Sequence, residues 1–210
     1  FCRHCRVPLR NHQAETALMS LHMTCQLALP DWLDEFVSAW TDPLDTIEQR
    51  MQLAVALASE NVKHHTGGPF GAIVVEEDTS RLLGVGVNLV TTLELSLAHA
   101  EMVAVSLAQS AAGNWNLGAE NNVQLVTSCE PCAMCFGAVP WSGVKSIIWG
   151  AGRHDAEAAG FDEGDKPADW AESLERRGIR TQGGVLHREA AAVLARYARR
   201  AGAIYHPEKS

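Results

Sequence analysis

From residue 30 onward the apolar positions fall into two kinds of stretch: in some they recur every three or four residues, in others they run together as β-branched and aliphatic blocks. Leu33, Phe36, Val37 and Trp40 form one stripe and predict a short helix over Pro30–Trp40. Ile47, Met51, Ala54, Val55, Ala58 and Val62 predict a longer helix over Asp45–His64, which Gly67-Gly68 stops. Phe70–Glu76 and Leu82–Val87, separated by the polar Glu77–Arg81, read as a hairpin. Val103, Leu107 and Ala111 share one face of a helix over Leu97–Ala111, and a loop rich in Gly and Asn, Asn114–Asn122, follows it. A strand at Val123–Thr127 leads into a helix ending near Trp141–Gly143, and Val144–Trp149 is the next strand. Arg153–Lys166, dense in Asp and Glu, is expected to be a loop with a solvated face. A helix over Asp169–Arg177, a short strand at Ile179–Gln182 and an amphipathic helix over His187–Arg200 complete the series. This order predicts an α/β fold, a three-layer α/β/α sandwich around a central mixed five-stranded sheet.

The chemistry is concentrated in two short stretches, His99-Ala100-Glu101 and Ser128-Cys129-Glu130-Pro131-Cys132-Ala133-Met134-Cys135. Pro131 just before the pair starts a helix, and thiolates three residues apart in its first turn point to one side. Taken alone, a C-x-x-C fits half of a structural zinc site, a redox pair or chance. With His99 it makes a set of one imidazole and two thiolates, which leaves a fourth tetrahedral position open, the arrangement of catalytic zinc. Glu101 lies two residues from the imidazole, where structural zinc has no need of a carboxylate. H-x-E followed by P-C-x-x-C is the signature of zinc deaminases, in which the Glu moves protons and is not a ligand. Cys129, at the expected end of a strand, reads as a small buried thiol. Asn88, at the end of the hairpin, fits a turn, and its amide also suits a heterocycle that presents both donors and acceptors.

Composition narrows the substrate. The 210 residues carry a formal net charge of −8, which works against a polyanionic partner, so no nucleic acid is expected and a small uncharged molecule is favoured. No apolar run is long enough to span a bilayer and no secretory signal is seen, so a cytoplasmic setting is expected, with the six Cys reduced. Phe1–His22, with scattered Arg and His and a Cys2-Arg3-His4-Cys5 that mimics a metal knuckle, reads as a disordered extension or a processing remnant ahead of Met23. Residues 23–200 are expected to form one domain, with a tail, Ala201–Ser210, carrying Tyr205.

Gly68-Pro69-Phe70-Gly71-Ala72, Gly86-Val87-Asn88, His99-Ala100-Glu101, Thr127 through Cys135 and Gly137-Ala138 together resemble the cytidine-deaminase-like superfamily over about Ile47–Arg200. Within it, Cys129 through Trp141, and Asp155 followed by Ala159-Gly160-Phe161-Asp162-Glu163, are similar to the bacterial guanine deaminases, although Glu163 stands where Asp is expected. The resemblance implies one zinc ion per subunit on His99, Cys132 and Cys135, and the conversion of guanine to xanthine and ammonia. Zinc hydroxide would attack C2 while Glu101 and Glu163 move protons. It implies that Asn88, Phe70, Gly71, Ala100, Trp141 and Tyr205 contact the purine, that Tyr205 belongs to a C-terminal cover, and that the protein is a homodimer. The rival readings are a deaminase of another amino-heteroaromatic ring such as a triazine, pterin or pyrimidine, a tRNA adenosine deaminase, and a non-catalytic zinc module.

Overall fold

The computed structural model describes residues 24–205. The expected extension at 1–22, the knuckle-like Cys2 and Cys5, Met23 and the end of the tail lie outside the described residues. Two helices open the chain, α1 (Asp31–Ser38) and α2 (Ile47–Lys63), followed by the hairpin β1 (Gly71–Glu76) and β2 (Arg81–Val87). A one-turn α3 (Val90–Leu93) precedes α4 (Ala100–Ala112), β3 (Val123–Cys129), α5 (Ala133–Ser142) and β4 (Ser146–Ala151). Then come α6 (Arg153–Ala158), α7 (Trp170–Glu175), β5 (Arg180–Gln182) and α8 (His187–Arg199).

Local chemistry explains several boundaries. Thr46 and Gln49 form a reciprocal capping box at the start of α2. α4 ends at Gly113 and α5 at Gly143, both with the left-handed backbone that stops a helix. Two helices depart from the expected elements, the one-turn α3 and α6, which replaces the first part of the predicted loop. The Asp155 carboxylate accepts from the Gly152 N–H at 2.8 Å and so caps a helix too short and too polar to show an apolar stripe.

The sheet is mixed, in the order β2-β1-β3-β4-β5, with β1 antiparallel to both neighbours and β3, β4 and β5 parallel. Alternate residues of β1 serve opposite faces. Ile73 and Val75 pack with Met51, Leu53 and Leu57 of α2, while Ala72 and Val74 pack with Ala104 and Ala108 of α4. α8 lies beside α2 and covers β4, which completes the three layers. On the other face the packing is close enough to need glycine. A Cβ on Gly86 would come within 2.1 Å of the Ala100 carbonyl oxygen, so β2 and the first turn of α4 touch backbone to backbone.

Candidate active site

Strand register brings the chemistry to one edge of the sheet. Gly71, the first residue of β1, pairs with Val87 at the end of β2, Ala72 pairs with Thr127 near the end of β3, and Cys129 pairs with Ala151 at the end of β4. Phe70, Asn88, the turn carrying Cys132 and the segment after Ala151 therefore emerge together, as is usual at the carboxyl ends of parallel strands. His99 and Cys132 occupy the N-cap positions of α4 and α5, so two helix N-termini also face this edge.

The ring nitrogen Nδ1 of His99 lies 3.4 Å from Cys132 Sγ and 3.7 Å from Cys135 Sγ. Bond lengths of about 2.0 Å to nitrogen and 2.3 Å to sulfur at tetrahedral angles require an N···S separation of roughly 3.6 Å, so the three donors already stand as a zinc ion would hold them. One atom from each of the three residues falls within a span of 4.8 Å. Their protonation suits the same role. The Cys135 thiol donates to Cys132 and, with His99 adding to the effect, holds the Cys132 thiol down at about 4. Donating to Cys132 and burial drive Cys135 far up. Burial lowers the His99 pKa, but the hydrogen bond and charge of Cys132 and the charges of Glu101 and Glu163 outweigh it and leave it raised. Cys129 is not a member of this group. Its Sγ faces the Gly152 carbonyl, and burial pushes its thiol well up, as the reading of a small buried thiol requires.

Beside the donors lies a cavity of about 30 Å³, room for one or two waters. Glu101 and Glu163 both reach it, and both are buried, at 8% and 5% exposure. Burial, then the Cys132 thiolate, raises the Glu101 pKa. Burial, followed by the charges of Cys132 and Glu101, pushes Glu163 up to about 8. One Glu163 oxygen, Oε2, is buried with no hydrogen-bond partner among the described residues. Phe70 forms an apolar wall with Phe161, their rings edge to face at 4.8 Å. Asn88 is 1% exposed, and its Nδ2 donates to the Tyr205 hydroxyl at 2.8 Å. That hydroxyl also stands 3.4 Å from His99 Nε2, so the tail reaches over the site of its own chain.

His99, Cys132, Cys135, Glu101, Glu163, Asn88, Phe70 and Tyr205 are thus brought together. Three expected contacts are not. Trp141 is 78% exposed in the last turn of α5, at the opposite end of that helix from Cys132, and lies outside the cavity. Gly71 donates its N–H to Ser128 Oγ and presses against the Ala54 carbonyl of α2. Ala100 points into the core between β1 and α4. The cavity is also lined by Glu130, Phe161 and Asp162, which had no role in the reading of the sequence. Arg153–Lys166 is only in part the solvated face expected of its charges: His154, Glu157, Asp162 and Asp165 are exposed, whereas Glu163 and the Lys166 side chain, 1% exposed, are buried. The signal available was Phe161, a large apolar residue inside a charged run.

Residues 44–151 match the family model of the cytidine and deoxycytidylate deaminase zinc-binding region. Guanine deaminase of Bacillus subtilis is 40% identical over 128 residues, covering 58% of this chain and 79% of that protein. A solved structure of guanine deaminase from Nitrosomonas europaea superposes with a TM-score of 0.80 at 40% identity, over 86% of this chain and 99% of that one. A structure of NE0047 in complex with 2,6-diaminopurine gives the same TM-score, 0.80, at 41% identity, over 87% of this chain and 97% of that one.

Proposed function

The chain belongs to the cytidine and deoxycytidylate deaminase zinc-binding family, and from that we propose that it is a zinc-dependent guanine deaminase, hydrolysing guanine to xanthine and ammonia. The observation that carries the reading is the meeting, at one cavity, of the His99, Cys132 and Cys135 donors with two buried carboxyl groups of raised pKa. A zinc ion on those donors supplies the Lewis acidity by which water ionises near neutral pH.

Every other part of the chemistry falls to side chains. Glu101, in the first turn of α4, takes a proton from the attacking water and returns it to the ring nitrogen beside C2. The carbon then carries both hydroxyl and amino groups. The amine leaves only when protonated. Glu163, which keeps its proton up to about pH 8, is the acid for that step at the amino nitrogen. Expulsion of ammonia and loss of the hydroxyl proton give xanthine and balance the addition of one water. Asn88 offers an amide donor and acceptor to the purine edge, and the Phe70–Phe161 wall packs against the ring. The space left beneath Tyr205 is far smaller than a purine, so entry of the base parts the Tyr205 hydroxyl from Asn88.

The same reading places the protein in purine metabolism in the cytoplasm, as a homodimer. Cys25, Cys129, Cys132 and Cys135 are all free thiols, which suits a reducing compartment. Leu97, Trp115 and Trp141 are 63%, 73% and 78% exposed and offer apolar surface to a second copy. Sedimentation of the purified chain tests the dimer. For the activity, ammonia release should be measured with guanine, adenine, cytosine, cytidine and an aminotriazine. Release from guanine alone is expected. Release from the triazine alone keeps the mechanism and changes the substrate, and no release from a fully zinc-loaded protein favours a tRNA substrate or a binding module.

A further inference from the structure

Lys166 is a buried charge that the proposed chemistry leaves without a task. Its side chain is 1% exposed, and its ammonium donates to Glu130 Oε1 at 2.6 Å and to the Pro131 carbonyl. It also stands 4.8 Å over the Trp170 ring. An ammonium taken out of water is costly unless its partners compensate, and replacing such an ion pair by apolar groups is often neutral or stabilising. Stability alone therefore gives a weak account of a lysine at this position, whereas placement gives a specific one.

The acceptors of Lys166 are the two residues immediately before the ligand Cys132. Lys166 itself follows Glu163 by three residues. A second tie joins the same two segments, the Ala133 N–H donating to the Glu163 carbonyl at 2.9 Å. Between the ties the chain turns at Gly164, whose φ of +65° favours glycine and where an added Cβ would come within 3.0 Å of the Ala133 side chain. The segment belongs to no helix or strand. One oxygen of the Glu163 carboxyl, Oε2, has no hydrogen-bond partner among the described residues and adds nothing to that order. Where that carboxyl stands is therefore set by how its backbone is fastened to the metal-binding turn.

We propose that Lys166 is a positioning residue for Glu163, its bonds to Glu130 and Pro131 fixing the Glu163 carboxyl at the distance from the metal-binding turn at which it protonates the departing amine. This rests on the reading of Glu163 as the proton donor.

The test is a double-mutant cycle on the zinc-loaded full chain, comparing wild type, Lys166→Gln, Glu163→Gln and the pair. If Lys166 works through Glu163, Lys166→Gln retains its zinc and lowers kcat by about tenfold or more with KM changed less than about twofold, whereas in the Glu163→Gln background it costs less than about threefold. The same factor in both backgrounds overturns the proposal, since Lys166 would then act independently of Glu163. Loss of zinc from Lys166→Gln overturns it as well, by assigning the lysine to the metal-binding turn. Should Glu130, left without its partner, prevent Lys166→Gln from folding, Glu130→Gln/Lys166→Gln removes both charges, and the same cycle against Glu163→Gln decides the matter. A Glu163→Gln protein with wild-type turnover removes the underlying reading and the proposal with it, and it is recognised from that single variant alone.

Discussion

Replacing Glu163 by Gln should slow turnover and raise stability together, and the second effect can be worked out from where the carboxyl sits. Burial, with the charges of Cys132 and Glu101, moves its pKa from an ordinary 4.5 to about 8. The unfolded chain gives up this proton near pH 4.5 and the folded chain keeps it to about pH 8. Between those values the folded state binds more protons, so the wild type loses stability as pH rises, at a little over 1 kcal/mol per pH unit. Gln has no proton to lose. From pH 5 to pH 7 the stability of the variant relative to wild type should therefore improve by about 2–3 kcal/mol, and the gap should stop widening above pH 8. For a chain of this size that corresponds to a gain in Tm of roughly 5–10 °C relative to wild type. Thermal unfolding of both proteins, freed of metal, at pH 5, 7 and 9 measures it directly. In parallel, wild-type kcat should fall as pH passes 8 and the acid is lost, and the slow variant should lack that limb. A gap in Tm that does not change with pH refutes the assignment of a neutral carboxyl at Glu163.

Three further outcomes follow from the packing. Gly86→Ala should destabilise the fold by about 3 kcal/mol or more and release zinc, because the new Cβ pushes the first turn of α4, with Glu101 and its N-cap His99, away from β2; metal content and a denaturant midpoint read both. Arg50→Met, which removes the buried bonds to Gln124 Oε1 and to the Leu44 and Glu77 carbonyls, should cost about 2–4 kcal/mol while leaving kcat unchanged, since these contacts lie at the edge of the sheet away from the cavity. Tyr205→Phe frees Asn88 from a competing bond of about 1 kcal/mol and should lower KM for guanine by about fivefold; a higher KM would mean that the hydroxyl itself contacts the base.

What was legible in the sequence follows from the range of the interactions concerned. His99, Glu101, Cys132 and Cys135 are defined by spacings of two and three residues within helix N-termini, and local backbone geometry carries such spacings into space unchanged. The strands were legible because both faces of the sheet are covered, which makes them runs of apolar residues. α6 was not legible, because it is held by a cap and by the pairing of Asp155 with His187 of α8 at 2.8 Å rather than by an apolar face of its own. The burial of Lys166 depends on Glu130 and Trp170, and no periodicity along the chain expresses that meeting. Trp141 is set apart from the cavity for the opposite reason. It stands next to the metal motif in sequence, but the length of α5 carries it to the exposed far end of the helix.

The central claim is that a zinc-loaded site with Glu101 as its proton carrier hydrolyses guanine. The most direct measurement is xanthine formation from guanine by the wild type and by Glu101→Gln, with the zinc content of both proteins determined on the same samples. The expected result is one zinc per chain in each protein, turnover by the wild type with ammonia released in equal amount, and nearly none by the variant. Xanthine formation by zinc-loaded Glu101→Gln at the wild-type rate contradicts the proton-transfer assignment, and its absence from the zinc-loaded wild type contradicts the function.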